Sequence, residues 1–342
     1  MSFHPDLLKT VAGLKKTLTI TTGDTIANPE RISTGSLGLD VALGGGWPTG
    51  TWSEIIGDPS SGKTSICLKT IAANQAKDPD FTVVWVAAEN WFPEWTEKCG
   101  IDNSRVIVVQ TNIMEAAYES VLQLCETKQV DLVVIDSLPA LTPSSEDEKT
   151  MDEVTVGRGA LLTNKFFRKI AVAQMREPGE RQVAGILINQ WRMKIGVMMG
   201  DPRTTPGGMG KDYAMSVRAE VKRDSWIEEG TGTAKRRIGQ SIKLHTVKNK
   251  TFPPQQTAYV DFYVADGGDV DAGQYDFAKE IISLGLIHGI IDRRGGWLYY
   301  THNGEDRKWQ GAPNMLASVR EEVFLADDLT KEVLDVLQLS AK

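Results

Sequence analysis

Gly57-Asp58-Pro59-Ser60-Ser61-Gly62-Lys63-Thr64 decides the fold, because it fits the full GxxxxGK[ST] pattern and lies between a strand signal and a helix signal. Residues 51–56 read as a short strand, and residues 65–73 carry apolar side chains at helical spacing. Glycines in such a loop let the backbone curl until its N–H groups face phosphate oxygens, and the helix N-terminus adds a positive field. The expected cradle is Gly57, Ser60, Ser61, Gly62, Lys63, Thr64 and Ser65, with Lys63 neutralising the β- and γ-phosphates of a nucleotide and the Thr64 hydroxyl holding Mg²⁺. A Gly/Ser-rich turn arising by chance would lack both flanking elements.

The 342 residues, 41% of them hydrophobic, are enough for a large core plus one or two smaller units. Cys67, Cys99 and Cys125 form no CxxC pair and no metal-ligand spacing, so they read as reduced packing residues of a cytoplasmic protein. No apolar run is long enough to span a bilayer, and the first residues lack the basic and apolar regions of a signal peptide. The net charge of −7 is unevenly spread. Between Trp191 and Arg223 the bases Arg192, Lys194, Arg203, Lys211, Arg218, Lys222 and Arg223 outnumber the acids, whereas Glu321, Glu322, Asp327, Asp328, Glu332 and Asp335 make the C-terminal end acidic. A polyanion can therefore bind locally although the total is negative.

Residues 1–34 hold an amphipathic helix candidate at 6–16, too short to stand alone, and a polar linker; they read as an arm that packs on another body. Downstream, strand signals at 81–87, 105–110, 130–136 and 183–189 alternate with helix signals at 91–99, 115–128 and 154–174, the pattern of an α/β fold with a mostly parallel sheet covered on both faces. Stretches 216–223, 237–247 and 257–264 have β-type composition and suit an antiparallel extension, so the core is expected over 35–268. After Asp266-Gly267-Gly268-Asp269, a helix at 275–284, a strand at 297–300 and a helix at 317–339 suggest a small α+β domain over 269–342.

Three further features carry chemistry. Leu132-Val133-Val134-Ile135-Asp136 is an apolar strand ending in the carboxylate expected in the metal shell of a nucleotide site. Glu89 follows the 81–87 strand at its carboxyl end, where it either orients an attacking water or caps the next helix; position alone leaves both open. Residues 188–208 leave a strand end, alternate Arg192 and Lys194 with apolar residues, include Arg203, and finish in Pro206-Gly207-Gly208. This is the composition of a loop that meets a phosphate backbone and wedges an aliphatic side chain between bases, though a plain surface loop shares it.

With these residues assembled, the chain resembles the RecA family of bacterial-type recombinases from about Ile32 onward. The resemblance rests on Ile32-Ser33-Thr34-Gly35-Ser36-Leu37, Ser60-Ser61-Gly62-Lys63-Thr64, Ala88-Glu89, Asp136-Ser137, Ala140-Leu141-Thr142-Pro143, Ile188-Asn189-Gln190, Arg192-Met193-Lys194-Ile195-Gly196-Val197, Thr204-Thr205, Gly207-Gly208, Ser216-Val217-Arg218 and Val247-Lys248-Asn249-Lys250. It implies a RecA-like P-loop ATPase core, an N-terminal oligomerisation arm and a small C-terminal domain. It also implies a DNA-dependent ATPase that uses ATP and Mg²⁺, forms head-to-tail helical filaments on single-stranded DNA, and exchanges strands with homologous double-stranded DNA. On that resemblance Glu89 activates the hydrolytic water, Thr64 and Asp136 hold the metal, Gln190 senses the γ-phosphate, and Lys248 and Lys250 reach the neighbouring subunit's nucleotide. Trp95 takes the place of an aromatic against adenine. Asn164, Arg168, Arg192, Lys194, Gly207 and Gly208 meet DNA backbone, and Ile195 enters the base stack.

The sequence departs from the family at Asp58 and Pro59 of the phosphate loop, at Asp212 where the family has a lysine, and in an acidic first DNA loop at about 144–156. These departures suit a divergent, phage-encoded or otherwise specialised member. A ring helicase or switch ATPase on the same core, and a DNA-binding regulator with weak turnover, are the alternative readings; the contiguous second loop and the intact Lys63, Thr64, Glu89, Asp136 and Gln190 argue against them.

Overall fold

The computed structural model describes residues 4–14, 22–26, 28–147, 157–175, 180–193, 200–302 and 304–337. The chain divides into two units, Met1–Glu30 and Arg31–Lys342. In the first, α1 (Pro5–Leu14) is the expected amphipathic helix, and Leu7 on its apolar stripe is exposed.

The second unit opens with a two-residue ladder, β1 (Arg31–Ile32) against β2 (Trp47–Pro48), which brackets α2 (Leu37–Leu43). Ser36 caps α2 by accepting from the Leu39 amide, and the first of the following glycines, Gly44, ends it at φ 88°, a left-handed conformation that glycine adopts without a Cβ clash. Next come β3 (Thr51–Ile56), α3 (Lys63–Lys77), β4 (Val83–Ala87), α4 (Pro93–Lys98), β5 (Val106–Val109), α5 (Met114–Glu126) and β6 (Leu132–Asp136). A helical turn, α6 (Ser144–Asp147), starts the first expected DNA loop, whose residues 148–156 lie outside the described ones. The expected helix at 154–174 begins at Arg158: α7 (Arg158–Ala173) is preceded by Gly157 at φ 80°, and 154–156 are again outside.

β7 (Ala184–Asn189) is followed by β8 (Arg192–Met193) and β9 (Arg203–Thr204), which pair antiparallel and close the base of the second loop. Then come α8 (Gly208–Ala214), β10 (Met215–Glu229), β11 (Arg236–Asn249) and β12 (Thr257–Tyr263). The sheet order is β12-β11-β10-β3-β7-β6-β4-β5. From β10 through β5 every neighbouring pair is parallel, while β10, β11 and β12 form the expected antiparallel extension. β10 runs well past the expected end at residue 223, because its outer half stays paired with β11 as far as Glu229 opposite Arg236.

Alternation along the parallel strands explains the two covered faces. Val83, Trp85 and Ala87 join Ile66, Cys67 and Ile71 of α3 on one face, whereas Val84 and Val86 join Tyr118, Phe166 and Phe167 of α5 and α7 on the other. Cys67, Cys99 and Cys125 are buried and form no disulfide with one another. Beyond the sheet, α9 (Phe277–Ile287), the hairpin strands β13 (Asp292–Arg294), β14 (Trp297–His302) and β15 (Glu305–Gln310), and two helices share a separate apolar cluster that includes Ile281, Trp309 and Leu329. The single helix expected at 317–339 is in fact α10 (Gly311–Glu321) and α11 (Val323–Val336). Glu322 breaks it with extended dihedrals, held there by two 2.6 Å bonds from the Arg307 guanidinium to its carboxylate.

Candidate nucleotide site and nucleic-acid face

The phosphate loop leaves β3 at Gly57 and enters α3 at Lys63, with Gly62 at φ 100° as the N-cap and no side-chain cap on the helix. The first-turn amides of α3 thus have no side-chain cap. A Cβ on Gly62 would fall 2.4 Å from Ile242 Cδ1, so the tight entry demands glycine. Ser60 to Ser65 line a cavity of about 310 Å³ together with Trp226, Gln240 and Val264. Lys63 is nearly buried and its ammonium donates to the loop's own carbonyls, Gly57 at 3.0 Å and Asp58 at 2.7 Å. Burial pushes its pKa down, opposed by the nearby Asp136, Asp58 and Glu89.

Thr64 Oγ1 donates to Asp136 Oδ2 at 2.9 Å, joining the first turn of α3 to the end of β6. Burial, and then the charge of Glu89, raise the Asp136 carboxyl to about 6. Glu89 stands just past β4, and Ser137 Oγ donates to its Oε1 at 3.1 Å. It does not cap α4, whose N-cap is Phe92 without a side-chain bond. Lys63, Thr64, Glu89 and Asp136 are therefore brought together. Gln190 follows β7, whose last residue Asn189 is in register with Ile56 just before the phosphate loop, and the Gln190 amide donates to Asn189 Oδ1 at 2.9 Å.

The residues present fit a metal-nucleotide pair. A hydroxyl and a carboxylate side by side are the hard oxygen donors that Mg²⁺ takes, with phosphate oxygens completing its shell. Among the described residues no group of three His, Cys, Asp or Glu could hold a metal by itself. Ser61 Oγ is buried without a partner in the cradle. Lys63 carries a charge that burial disfavours, and an anion in the cradle would restore its balance.

Other expected residues stand elsewhere. Trp95 packs edge-on against Phe262 at 6.2 Å between centroids and is absent from the cavity lining; Trp226 is the aromatic there, flanked by Arg223 at 4.0 Å and Arg237 at 4.6 Å. Lys248 and Lys250 do not approach this chain's own phosphate loop. They donate to the carbonyls of Asp212 at 2.6 Å and Tyr213 at 2.9 Å, at the end of α8.

Among the residues expected to meet DNA, Gly207 at φ 101° caps α8 and Gly208 at φ 75° begins it. Asn164 on α7 lies against this turn, so close that a Cβ on Gly210 would fall 2.3 Å from its Oδ1, and that oxygen is buried without a partner. Arg168, one helical turn further on, is exposed and lines a groove between α5 and α7 with Glu119 and Lys169. Arg192 is exposed at the loop base, whereas Arg203 is tied to Asp201 and Glu220 and stacks on Trp191 at 4.6 Å. Lys194 and Ile195 lie outside the described residues.

Sequence reasoning missed a buried charged cluster: Glu54, Lys211 and Asn189, all without solvent exposure, with Arg218 alongside. A glutamate inside the otherwise uncharged strand Thr51–Ile56 was the available signal, since a buried carboxylate requires a partner. No helix among the described residues is long and apolar enough to cross a membrane.

A family model described as the RecA N-terminal domain matches residues 13–269. Three proteins named Protein RecA align over most of their length. The Kineococcus radiotolerans protein is 36% identical over 94% of this chain and 87% of its own, and that of Streptomyces venezuelae 36% over 94% and 80%. The Thioalkalivibrio sulfidiphilus protein is 37% identical over 91% of this chain and 86% of its own.

Proposed function

The chain belongs to the RecA family of DNA-dependent ATPases that act in recombination and DNA repair, and from that premise we propose how its own residues carry the reaction. The substrate is ATP, seated in the cradle of Gly57, Ser60, Ser61, Gly62, Lys63, Thr64 and Ser65. Lys63 leaves the Gly57 and Asp58 carbonyls for the phosphates. Thr64 and Asp136 would hold Mg²⁺, which would supply positive charge to offset that of the phosphates. Glu89 orients the attacking water and accepts its proton, and Gln190 reads the γ-phosphate from the end of β7. For the base, Trp226 is better placed than Trp95, since it lines the cavity.

Residues 1–34 serve as an arm docking on the next protomer, 35–268 as the ATPase core and 269–342 as a C-terminal domain. Head-to-tail assembly into a helical filament brings Lys248 and Lys250 to the neighbour's γ-phosphate. Asn164, Arg168, Arg192, Lys194, Gly207 and Gly208 hold the backbone of single-stranded DNA, Ile195 enters its stack, and homologous duplex is then paired and exchanged in the cytoplasm. The observation that carries this reading is the junction of Thr64, Asp136 and Glu89 at one end of the sheet while the two lysines are held away from their own phosphate loop. The test is ATP turnover with and without single-stranded DNA, with electron microscopy of the same mixture: stimulated turnover on open filaments supports it, and unstimulated turnover or closed rings would refute it.

A further inference from the structure

Glu54 lies on β3 three residues before the phosphate loop, and its carboxylate is fully buried. Three donors converge on it. Asn189 Nδ2 reaches Oε1 at 2.7 Å, Lys211 Nζ reaches the same oxygen, and Arg218 Nε reaches Oε2 at 2.6 Å. Each donor belongs to a different working part of the molecule. Asn189 immediately precedes Gln190 and also donates to the Pro206 carbonyl at 3.1 Å, at the base of the second loop. Lys211 sits on α8 and donates to Thr205 Oγ1 at 3.0 Å and to Asp212 Oδ1 at 2.7 Å. Arg218 sits between Glu54 on one side and Lys248 on the other in the strand register, and it too reaches Thr205 Oγ1, at 3.1 Å.

The lysines complete the circuit. Lys248 and Lys250 rest on the carbonyls of Asp212 and Tyr213, the residues directly after Lys211. That contact and the proposed contact with a neighbour's phosphate exclude one another, so on the proposed reading this strand end takes two discrete arrangements. Such a two-state element is what coupling between sites requires. A buried carboxylate with every partner in place is rigid, because releasing any one donor leaves a buried charge or amide unpaired.

We infer that Glu54, clamped by Lys211, is a positioning residue that makes the phosphate-loop strand, the γ-phosphate sensor, the second-loop base and the lysine-bearing strand end shift as one body. Glu54 and Lys211 touch neither nucleotide nor DNA; they act through Asn189, Thr205 and Asp212. Asp212, which stands where the family has a lysine, is thereby assigned a role: its carboxylate anchors Lys211 and its carbonyl holds Lys248.

The inference rests on the DNA-stimulated ATPase reading, and full-length Lys211→Met and the charge-balanced double variant E54Q/K211M test it. Measured for each are turnover with and without single-stranded DNA, affinity for a fluorescent ATP analogue, and thermal stability. In both variants the stimulation ratio is expected to fall at least tenfold while analogue affinity stays within about threefold, and the double variant is expected to regain stability without regaining stimulation. If the cluster were merely structural, stimulation would return together with stability in the double variant, and that result overturns the inference; should Lys211→Met not fold, the double variant alone decides. Wild-type protein that DNA does not stimulate overturns the ATPase reading and this inference with it.

Discussion

Thr64 Oγ1 and Asp136 Oδ2, 72 positions apart in the chain, share a 2.9 Å hydrogen bond that joins the phosphate loop to the end of β6, two strands away from β3 in the sheet. The contact holds two oxygen donors side by side at the cost of a carboxyl that burial and Glu89 raise to about 6. The same strand ends carry Glu89 and, across β7, the start of Gln190. Sheet topology thus gathers residues that are remote in sequence, as the carboxyl ends of parallel strands do in open α/β sheets.

Glu89→Gln separates binding from turnover. The amide keeps an acceptor for Ser137 Oγ but cannot take a proton from water. Turnover with DNA is expected to drop by about 100-fold or more, while ATP-dependent retention of labelled single-stranded DNA persists. Steady-state hydrolysis beside fluorescence anisotropy checks this, and undiminished hydrolysis would remove Glu89 from its role.

On the proposed reading Lys248 and Lys63 belong to opposite halves of one composite site, and their defects are then expected to complement. Lys63→Ala removes the phosphate counter-charge, whereas Lys248→Ala leaves the phosphate loop intact and frees only the Asp212 carbonyl. Each variant alone is expected to be inactive, yet mixtures form some interfaces with Lys63 on one side and Lys248 on the other. Turnover should therefore peak near equimolar mixing; inactivity at every ratio would argue against assignment of Lys248 across the interface.

Much of this was legible because the signals are local. Gly57 to Thr64 is contiguous, and the apolar runs at 132–136 and 184–189 mark buried parallel strands by composition alone. What stayed hidden depends on pairing. Trp226 lies beyond the expected end of its strand and reaches the cavity only because β10 stays paired with β11, and Glu54 meets Lys211 across 157 residues. The break at Glu322 likewise follows from Arg307 on the hairpin strand just before α10, which no helical periodicity records.

Glu280 gives the second unit a specific pH response. It is buried on α9, accepts from the Ser36 hydroxyl and from the Leu37 and Gly38 amides, and also faces the buried carboxyl of Asp40 and the ring of Tyr275. Burial, added to by Asp40, raises its pKa from 4.5 to about 7 against the bonds from Ser36, Gly38 and Leu37 that lower it. Between those values the unfolded chain has lost the proton that the folded chain retains, so stability falls as pH rises from about 4.5 to about 7 and is level above. The loss is on the order of 3 kcal/mol. Glu280→Gln is expected to flatten the denaturation profile over this window, with urea melts from pH 4.5 to 8 as the measurement; a profile as steep as that of the wild type would rule the assignment out.

Backbone contact by Arg192 and Lys194 predicts a definite salt dependence. Arg192 is exposed and, among the described residues, makes no ion pair at the loop base, so its charge is available to a phosphate. Each phosphate neutralised releases counterions, giving a slope of roughly −0.7 per contact in log affinity against log salt for single strands. Arg192→Ala and Lys194→Ala are each expected to weaken binding in the ATP-bound state across all sequences and to reduce the slope by about one contact's worth. Arg203→Ala serves as the contrast: its guanidinium is already engaged by Asp201 and Glu220, so its removal should leave the slope unchanged. Anisotropy titrations on an oligothymidine and on a mixed-sequence strand between low and moderate salt measure all three. Equal slopes for Arg192→Ala and the wild type would take the first strand's backbone away from this loop.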